Sequence, residues 1–470
     1  MNIVGRKILS TWAQMGPRFL PFADAASADL PLARLLRLSL FQVSVGMALV
    51  LLVGTLNRVM IVELNVPASL VALMISMPVL FAPLRALVGF RSDTHRSALG
   101  WRRVPFIWKG TLIQFGGLAI MPFALLVLSG GGNASHWPIW IGHVGAGLAF
   151  LLVGVGLHTI QTAGLALATD LAPVEAQPKV VGLMYVAQLA GMIVSALVFG
   201  ALLEDFTPAR LIQVIQGSAV ATVAMNIVAL WKQETREPSH HKPRGVEPSF
   251  AQSWATFRES DQAVRRLLAV GLGTMAFSMQ DVLLEPYGGQ ILGLTVGATT
   301  KLTATLAVGG LMGFGLASRV LSRGADPFRM ASAGALLGVP AFAAVIVSAP
   351  LHAPMLFGFG AWLIGFGGGL FAHGTLTATM NLAPKEQVGL ALGVWGAVQA
   401  TAAGIGVALG GVMRDIVGGL ASQHLLTATL STPKSAYDLV YAFEILLLLA
   451  TIFTMVPLLR RSATVVPSRA

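Results

Sequence analysis

Residues 169–188, TDLAPVEAQPKVVGLMYVAQ, and residues 380–399, MNLAPKEQVGLALGVWGAVQ, are one stretch written twice, 211 positions apart. Leu171, Ala172, Pro173, Glu175, Gly182 and Gln188 of the first copy fall on Leu382, Ala383, Pro384, Glu386, Gly393 and Gln399 of the second. Each copy reads as a turn that opens a helix, set in a very apolar stretch of chain. A chain that repeats itself in the same sense is expected to form two similar helical halves related by an axis along the membrane normal. Composition agrees, with 55% hydrophobic and 11% charged residues and a mean hydropathy of +0.76, values that exclude a soluble globule.

Crossing a hydrocarbon core of about 30 Å takes roughly 20 helical residues. Runs of that kind occur at 38–60, 67–90, 106–128, 138–165, 180–203, 211–231, 267–285, 292–317, 330–349, 354–378, 388–412 and 438–459. The expected fold is therefore all-α: a polytopic membrane protein with twelve transmembrane helices in two parallel six-helix repeats. Most of the 31 lysines and arginines fall in alternate connections, so the positive-inside rule puts both termini in the cytoplasm. A net charge of +11 would suit nucleic acid only on a soluble basic surface, and here the cations sit between apolar runs and set topology instead. The chain has no cysteine, so disulfide and thiolate chemistry are excluded, and its start shows no cleavable signal pattern.

The boundaries follow from these runs. Residues 1–37 form a cytoplasmic N-terminal segment, with Trp12, Phe19 and Phe22 among basic residues, and 38–231 form the first six-helix half. Residues 232–266 are a cytoplasmic linker, opening with the proline-rich KQETREPSHHKPRGVEPS; Phe250, Trp254 and Phe257 then fit either a short interfacial helix or an irregular loop. Residues 267–459 form the second half and 460–470 a cytoplasmic tail.

Six plus six helices around a long central loop resemble the major facilitator superfamily. The loop GFRSDTHRSALGWRRVP at 89–105 strengthens the likeness, carrying the superfamily's Gly-x-x-x-Asp pair as Gly89 and Asp93, with Arg96, Arg102 and Arg103 following. In that superfamily the aspartate sits by the start of helix 11, where a helix dipole stabilises a carboxylate, so Asp93 is expected to latch the halves; the alternative is an exposed acid balanced by arginines. Longer blocks narrow the match. RLLRLSLFQVSVGM at 34–47, SDTHRSALGWRRVP at 92–105, QFGGLAIMPFALLVL at 114–128, TDLAP at 169–173 and QDVLLEPYGGQILGL at 280–294 are similar to the PucC/LhaA family, the bacteriochlorophyll delivery family of photosynthetic bacteria. That resemblance implies a factor in a bacterial cytoplasmic or intracytoplasmic photosynthetic membrane that assembles light-harvesting complexes. It would bind or deliver bacteriochlorophyll, or hold the antenna α and β polypeptides of a core or peripheral complex. It also implies bacteriochlorophyll synthase as a partner, assigns no carotenoid, and leaves membrane lipids as the surroundings.

Neutral imidazole ligates the magnesium of such a pigment, so histidines at membrane depth carry the cofactor expectation. These are His143, His158 and His373, and the 211-residue repeat carries His158 onto Gly369, one helical turn from His373. Helices 4 and 10 line the superfamily's central cavity, which makes His158 and His373 a pair of expected ligands. The competing reading is a hydrogen bond to a neighbour, such as Gln161 for His158. The stretch GFGAWLIGFGGGLFAHG at 358–374 lets a neighbouring helix or a flat macrocycle approach the backbone, helix packing being the commoner use. Gln188 and Gln399 are expected to hydrogen-bond across the two halves.

Charges within spans are costly and usually functional. Asp281 and Glu285 lie at i and i+4 where helix 7 is expected to end, and Arg58 lies at the equivalent end of helix 1. An ion pair from Arg58 to Asp281 or Glu285 would close the periplasmic mouth; independent solvated charges are the alternative. No carboxylate is clearly placed at the midplane, Glu444 lying near an uncertain boundary, which disfavours a proton-driven cycle. The chain has no phosphate loop, HExxH or GxSxG motif, so it is not expected to be an enzyme and no metal site is expected. Two classes remain: an assembly factor, favoured by the family resemblance, and a secondary transporter of a small amphipathic solute, favoured by fold alone.

Overall fold

A computed structural model describes residues 30–80, 88, 91–92, 101–131, 134, 136–173, 176–234, 262–382, 388–423, 425 and 431–462. Among them no strand occurs, and they form a bundle of twelve apolar helices. They are α1 (Leu32–Glu63), α2 (Ala68–Leu80), α3 (Val104–Leu128), α4 (Ile139–Asp170), α5 (Gln177–Leu202) and α6 (Pro208–Leu230). The second set is α7 (Val264–Gln290), α8 (Val296–Leu321), α9 (Pro327–Ser348), α10 (Pro354–Leu382), α11 (Val388–Ser422) and α12 (Pro433–Ser462). Eleven are long and apolar enough to cross a membrane, and the described part of α2 is a shorter apolar helix. The protein is thus a multi-pass membrane protein. The expected surface segments at 1–29 and 250–259, and Gly89, Asp93, Arg96, Glu175 and Glu386, lie outside the described residues.

Several helices overrun the expected spans: α4 has 32 residues, α11 has 35 and α12 has 30. At 1.5 Å per residue these are about 45–53 Å long, so their ends project past the hydrocarbon, where polarity no longer marks a helix boundary. Their starts are chemically specified. Thr207 Oγ1 accepts from the Arg210 amide at 3.2 Å, Thr295 Oγ1 from the Ala298 amide at 3.2 Å, and Asp326 Oδ1 from the Phe328 amide at 2.8 Å, with Pro208 and Pro327 following as first helical residues.

The repeat becomes a packing rule. In the first half α3 packs on α4, α1 on α5 and α6 on α3; in the second α9 packs on α10, α7 on α11 and α12 on α9. Between the halves α2 packs on α11 and α5 on α8, pairs that exchange under the same symmetry. Lipid gives apolar side chains little reason to leave it, so close backbone contact at small residues holds the helices together. Gly365 of α10 presses on the Leu306 carbonyl of α8, Gly334 of α9 stands where a Cβ would lie 2.5 Å from the Gly367 carbonyl, and Gly110 and Gly156 join α3 to α4 in the same way.

One end of the bundle, where α1 finishes and α2 starts, is hereafter the far end, and polar contacts between the halves gather there. Asp415 of α11 accepts from the Ser69 amide at 2.7 Å and the Ala68 amide at 3.3 Å, capping α2 from the opposite half. Lys301 of α8 pairs with Glu204 beyond α5 at 3.1 Å, and Thr55 meets Thr300 at 3.4 Å. At the near end Arg103 holds Asp170 at 3.0 Å and Ser92 at 2.6 Å, and Arg102 reaches Asp170 at 3.5 Å, so the basic loop is fastened within its own half.

A Cβ at Gly365 would meet backbone that cannot yield, whereas nothing lies within 4 Å of a Cβ at Gly358. Gly365→Ala is expected to cost about 1–3 kcal/mol and Gly358→Ala less than about 0.5 kcal/mol. Thermal unfolding of the two variants in detergent compares them directly.

Candidate functional site between the two halves

The site forms where α7 stops being an α-helix. Proline has no N–H and its ring crowds the carbonyl four residues back, so Pro286 cannot close a turn onto Val282. The chain answers with a 3₁₀ turn at Met279–Val282, a junction at Leu283, and a short α-helix from Leu284 to Gln290. Opposite it α1 is π-helical over Val50–Leu56 and Val59–Glu63. Two equivalent helices therefore depart from α geometry side by side, a feature that marks binding sites in repeat-built membrane proteins. Asn57 Nδ2 bridges them, donating to the Val53 carbonyl at 3.1 Å and the Asp281 carbonyl at 3.3 Å.

Asp281 and Glu285 are inside the bundle rather than at a helix end, because α7 continues to Gln290. Gln280 Nε2 donates to Asp281 Oδ1 and, at 3.3 Å, to the Phe277 carbonyl. Thr303 of α8 donates to Glu285 Oε1 at 2.8 Å. From α12 come Tyr437, Tyr441 and Glu444, all fully buried; their i, i+4, i+7 spacing puts them on one face. Tyr287 meets Tyr437 and Tyr441 edge-on, with ring centroids 5.5 Å apart in each case. Glu444, whose depth the sequence leaves open, is the twelfth residue of α12, about 17 Å along the helix from its start.

Arg58 does not pair with Asp281 or Glu285. It pairs with Glu63, and its second nitrogen donates to the Leu294 carbonyl at 3.2 Å. The reason is local: a π-helix stacks residues five apart, and Glu63 is five residues on. Gly289 leaves room for the guanidinium, since a Cβ there would come within 3.0 Å of it. Gln188 likewise bonds within its own half, accepting from Gln161 at 2.8 Å, while Gln399 is half-buried on α11. The inter-half tie comes instead from Asp415, which also accepts from Arg414 at 2.9 Å; Arg414 continues to Gln290 at 2.9 Å, and Tyr437 donates to Gln290 at 2.6 Å. Asp415 thus clasps a helix start across the halves from α11, acting on α2.

Beside the broken turn is a cavity of about 190 Å³, walled by Leu189 and Met192 of α5, Leu306 and Gly310 of α8, Ile364 of α10, and Phe277 of α7. Gln280 and Asp281 supply its polar edge. Pockets that enclose drug-sized ligands run from about 300 to 1,000 Å³, so a tetrapyrrole ring does not fit inside this one. The three histidines are all half-buried and are spread over two helices, His143 and His158 on α4 and His373 on α10. His373 packs edge-on against Phe314, centroids 4.4 Å apart, and its Nδ1 is buried with no hydrogen-bond partner. Phe314 is one turn beyond Gly310, so His373 sits at the cavity's near-end rim, and its nitrogen has the chemistry of an axial ligand. Among the described residues no three histidine or carboxylate side chains gather around a metal position.

A two-half bundle with α2–α11 and α5–α8 at its seam defines the fold of the major facilitator superfamily. A bacterial homologue of the iron transporter ferroportin, solved facing inward, shares it with a TM-score of 0.66 at 14% identity, over 91% of this chain and 98% of that one. The PUCC protein family model matches residues 55–463, and the chain belongs to that family. It is 64% identical to Protein PucC of Rhodovulum sulfidophilum, over 93% of this chain and 96% of the relative. It is 58% identical to Protein PucC of Cereibacter sphaeroides, over 97% and 98%. A more distant relative, at 28% identity over 82% of this chain and 88% of its own length, is named bacteriochlorophyll synthase 44.5 kDa chain, from Rhodobacter capsulatus.

Asp415→Ala removes the cap of α2 and is expected to cost about 1 kcal/mol. Because the chain has no cysteine, a single Ser69→Cys reports the opening: its maleimide labelling is expected to quicken several-fold when Asp415→Ala is added.

Proposed function

We propose that the protein is a membrane assembly factor for bacterial light-harvesting complexes, which takes up bacteriochlorophyll and holds it for the antenna α and β polypeptides. Membership of the PUCC family over residues 55–463 carries this reading. It lies in the bacterial cytoplasmic or intracytoplasmic photosynthetic membrane, with both termini and the near end of the bundle in the cytoplasm and the far end in the periplasm. Bacteriochlorophyll synthase is the proposed donor of pigment, and the work is binding and handover rather than catalysis.

His373 supports pigment contact. A buried nitrogen without a partner is costly, and an axial bond to magnesium would satisfy it. The small cavity restricts how the pigment is held: the macrocycle would lie at the near-end rim beside His373 and Phe314, with a slimmer part of the molecule reaching between Leu189, Leu306 and Ile364.

Purification from a pigment-producing host is the test. The expected result is near-infrared absorbance carried by the protein, and at least about a tenfold loss of retained pigment in His373→Ala, the scale expected when a ligand bond worth over 1.4 kcal/mol is removed. A colourless protein that catalyses solute counterflow in proteoliposomes would replace this reading with transport.

A further inference from the structure

Around the broken turn of α7 the interior holds polar side-chain atoms that lack a side-chain partner. Both carboxylate oxygens of Glu444, Oε2 of Glu285, Oε1 of Gln280, Oδ1 of Asn57 and the hydroxyl of Tyr441 are buried in this way, and the backbone of Gln280 faces Glu444. Glu444, Asn57 and Tyr441 are 0% exposed, Gln280 2% and Glu285 4%. Glu444 lies within electrostatic reach of Asp281, and Tyr441 within reach of both Glu444 and Glu285. Carboxylates from α7 and α12 and an acceptor from α1 thus share one region whose side-chain donors are neutral, the Gln280 amide on Asp281, the Thr303 hydroxyl on Glu285 and the hydroxyl of Tyr441, and among the described residues no cation pairs with them.

Nearby cations are engaged elsewhere. From α1, Arg58 is held by Glu63 and the Leu294 carbonyl; from α8, Lys301 is held by Glu204; from α11, Arg414 is held by Asp415, Gln290 and the face of Tyr437. From α12, Asp438 is tied to Lys434 at 3.1 Å, and Tyr437 donates to Gln290. α10 brings His373, whose ring lies against Phe314, and the described part of α2 carries no charged side chain. Bare carboxylates in such a place are strongly disfavoured, so something must neutralise them. No three acid or histidine side chains among the described residues surround a metal position. A proton needs a single oxygen at a time and so suits this place.

We propose that Glu444, Asp281 and Glu285 form a proton-binding site at the α7 break, reached from the inter-half cavity through Asp281 and Gln280. Asp281 and Gln280 line the cavity, and the buried Glu444 and Glu285 are each within electrostatic reach of Asp281. A proton taken up from the cavity bonds to a carboxylate oxygen; on release it returns to water there, leaving the carboxylate negative. The site sets the charge of the cavity wall: loaded, the wall is neutral and admits an apolar guest, and unloaded it repels one. This site does not rest on the pigment reading, since a transporter of another solute would use it equally.

Infrared spectroscopy of the full-length protein in lipid tests it, reading the C=O stretch of protonated carboxyl groups. A band is expected at neutral pH that shrinks in Glu444→Gln and fades as pH rises. Asp281→Asn is expected to move the midpoint of the remaining band by about one pH unit, a tenfold change in proton affinity, because the two groups titrate as a coupled pair. If Glu444→Gln does not fold, Asp281→Asn alone decides by that shift. A band unaltered by either substitution overturns the proposal. So does a band that responds to sodium concentration at fixed pH but not to pH, which would assign the oxygens to a metal cation.

Discussion

Hydrocarbon offers no partner to a backbone N–H or C=O, and this constraint governs the molecule. It makes the spans helical, and it makes any interruption of a helix a local problem that neighbours must solve. Pro286 interrupts α7 by leaving the Val282 carbonyl without its helical donor, and neighbours support the backbone around it: Asn57 from the other half bonds the Asp281 carbonyl at 3.3 Å, Gln280 folds back on Phe277, and Thr303 bonds Glu285. Polar side chains of the interior gather beside this irregular backbone, while a second cluster, Ser44, Thr111, Gln114, Thr222 and Asn226, joins regular stretches of α1, α3 and α6. Carboxyl groups, tyrosines and the cavity then follow one another, because a region already furnished with polar groups is where further ones cost least.

Much of the architecture is written in the sequence. Apolar runs and the 211-residue repeat specify helix number, order and the parallel relation of the halves, since both derive from periodic local burial. Helix ends were less legible: Thr169, Asp170 and residues 413–422 are helical beyond the hydrocarbon, where hydropathy is silent. Hydropathy ends helix 7 at Glu285, whereas α7 continues to Gln290 and Glu285 is buried. The π-helical register of α1, which hands Arg58 to Glu63, leaves no sequence signature that hydrophobic periodicity detects. A signal was available on α12, where Tyr437, Tyr441 and Glu444 repeat at helical spacing within an apolar run, the pattern of one polar stripe turned inward. Asp415 carries no such signal, because its partner is a helix start 346 residues away in the chain.

Family membership and geometry constrain each other. The proposed pigment role invites the image of a chamber that encloses a whole pigment, yet the inter-half cavity is about 190 Å³ and glycine-lined helices close around it. What is present is a narrow apolar recess with one polar edge and a histidine at its rim. That arrangement suits gripping part of an amphipathic molecule and leaving the remainder accessible to another protein. Handover to a partner requires such partial cover, whereas passage across a membrane requires full enclosure at some stage. The far-end closure, with Asp415 on α2 and Lys301 on Glu204, is compatible with both.

The residues that leave the first half have a mechanical consequence. Glu234 accepts from the amides of Arg102, Arg103 and Val104 at the start of α3, at 2.8 to 3.1 Å, and the side chain of Arg34 grips Gln233 at 3.0 Å and its carbonyl at 2.7 Å. The tether to the second half is thus riveted to the base of the first for as far as Glu234, and no slack is available before that point. Any tug delivered along the tether is borne by α1 and α3 together, so load would tilt the first half as a rigid block instead of peeling α6 away.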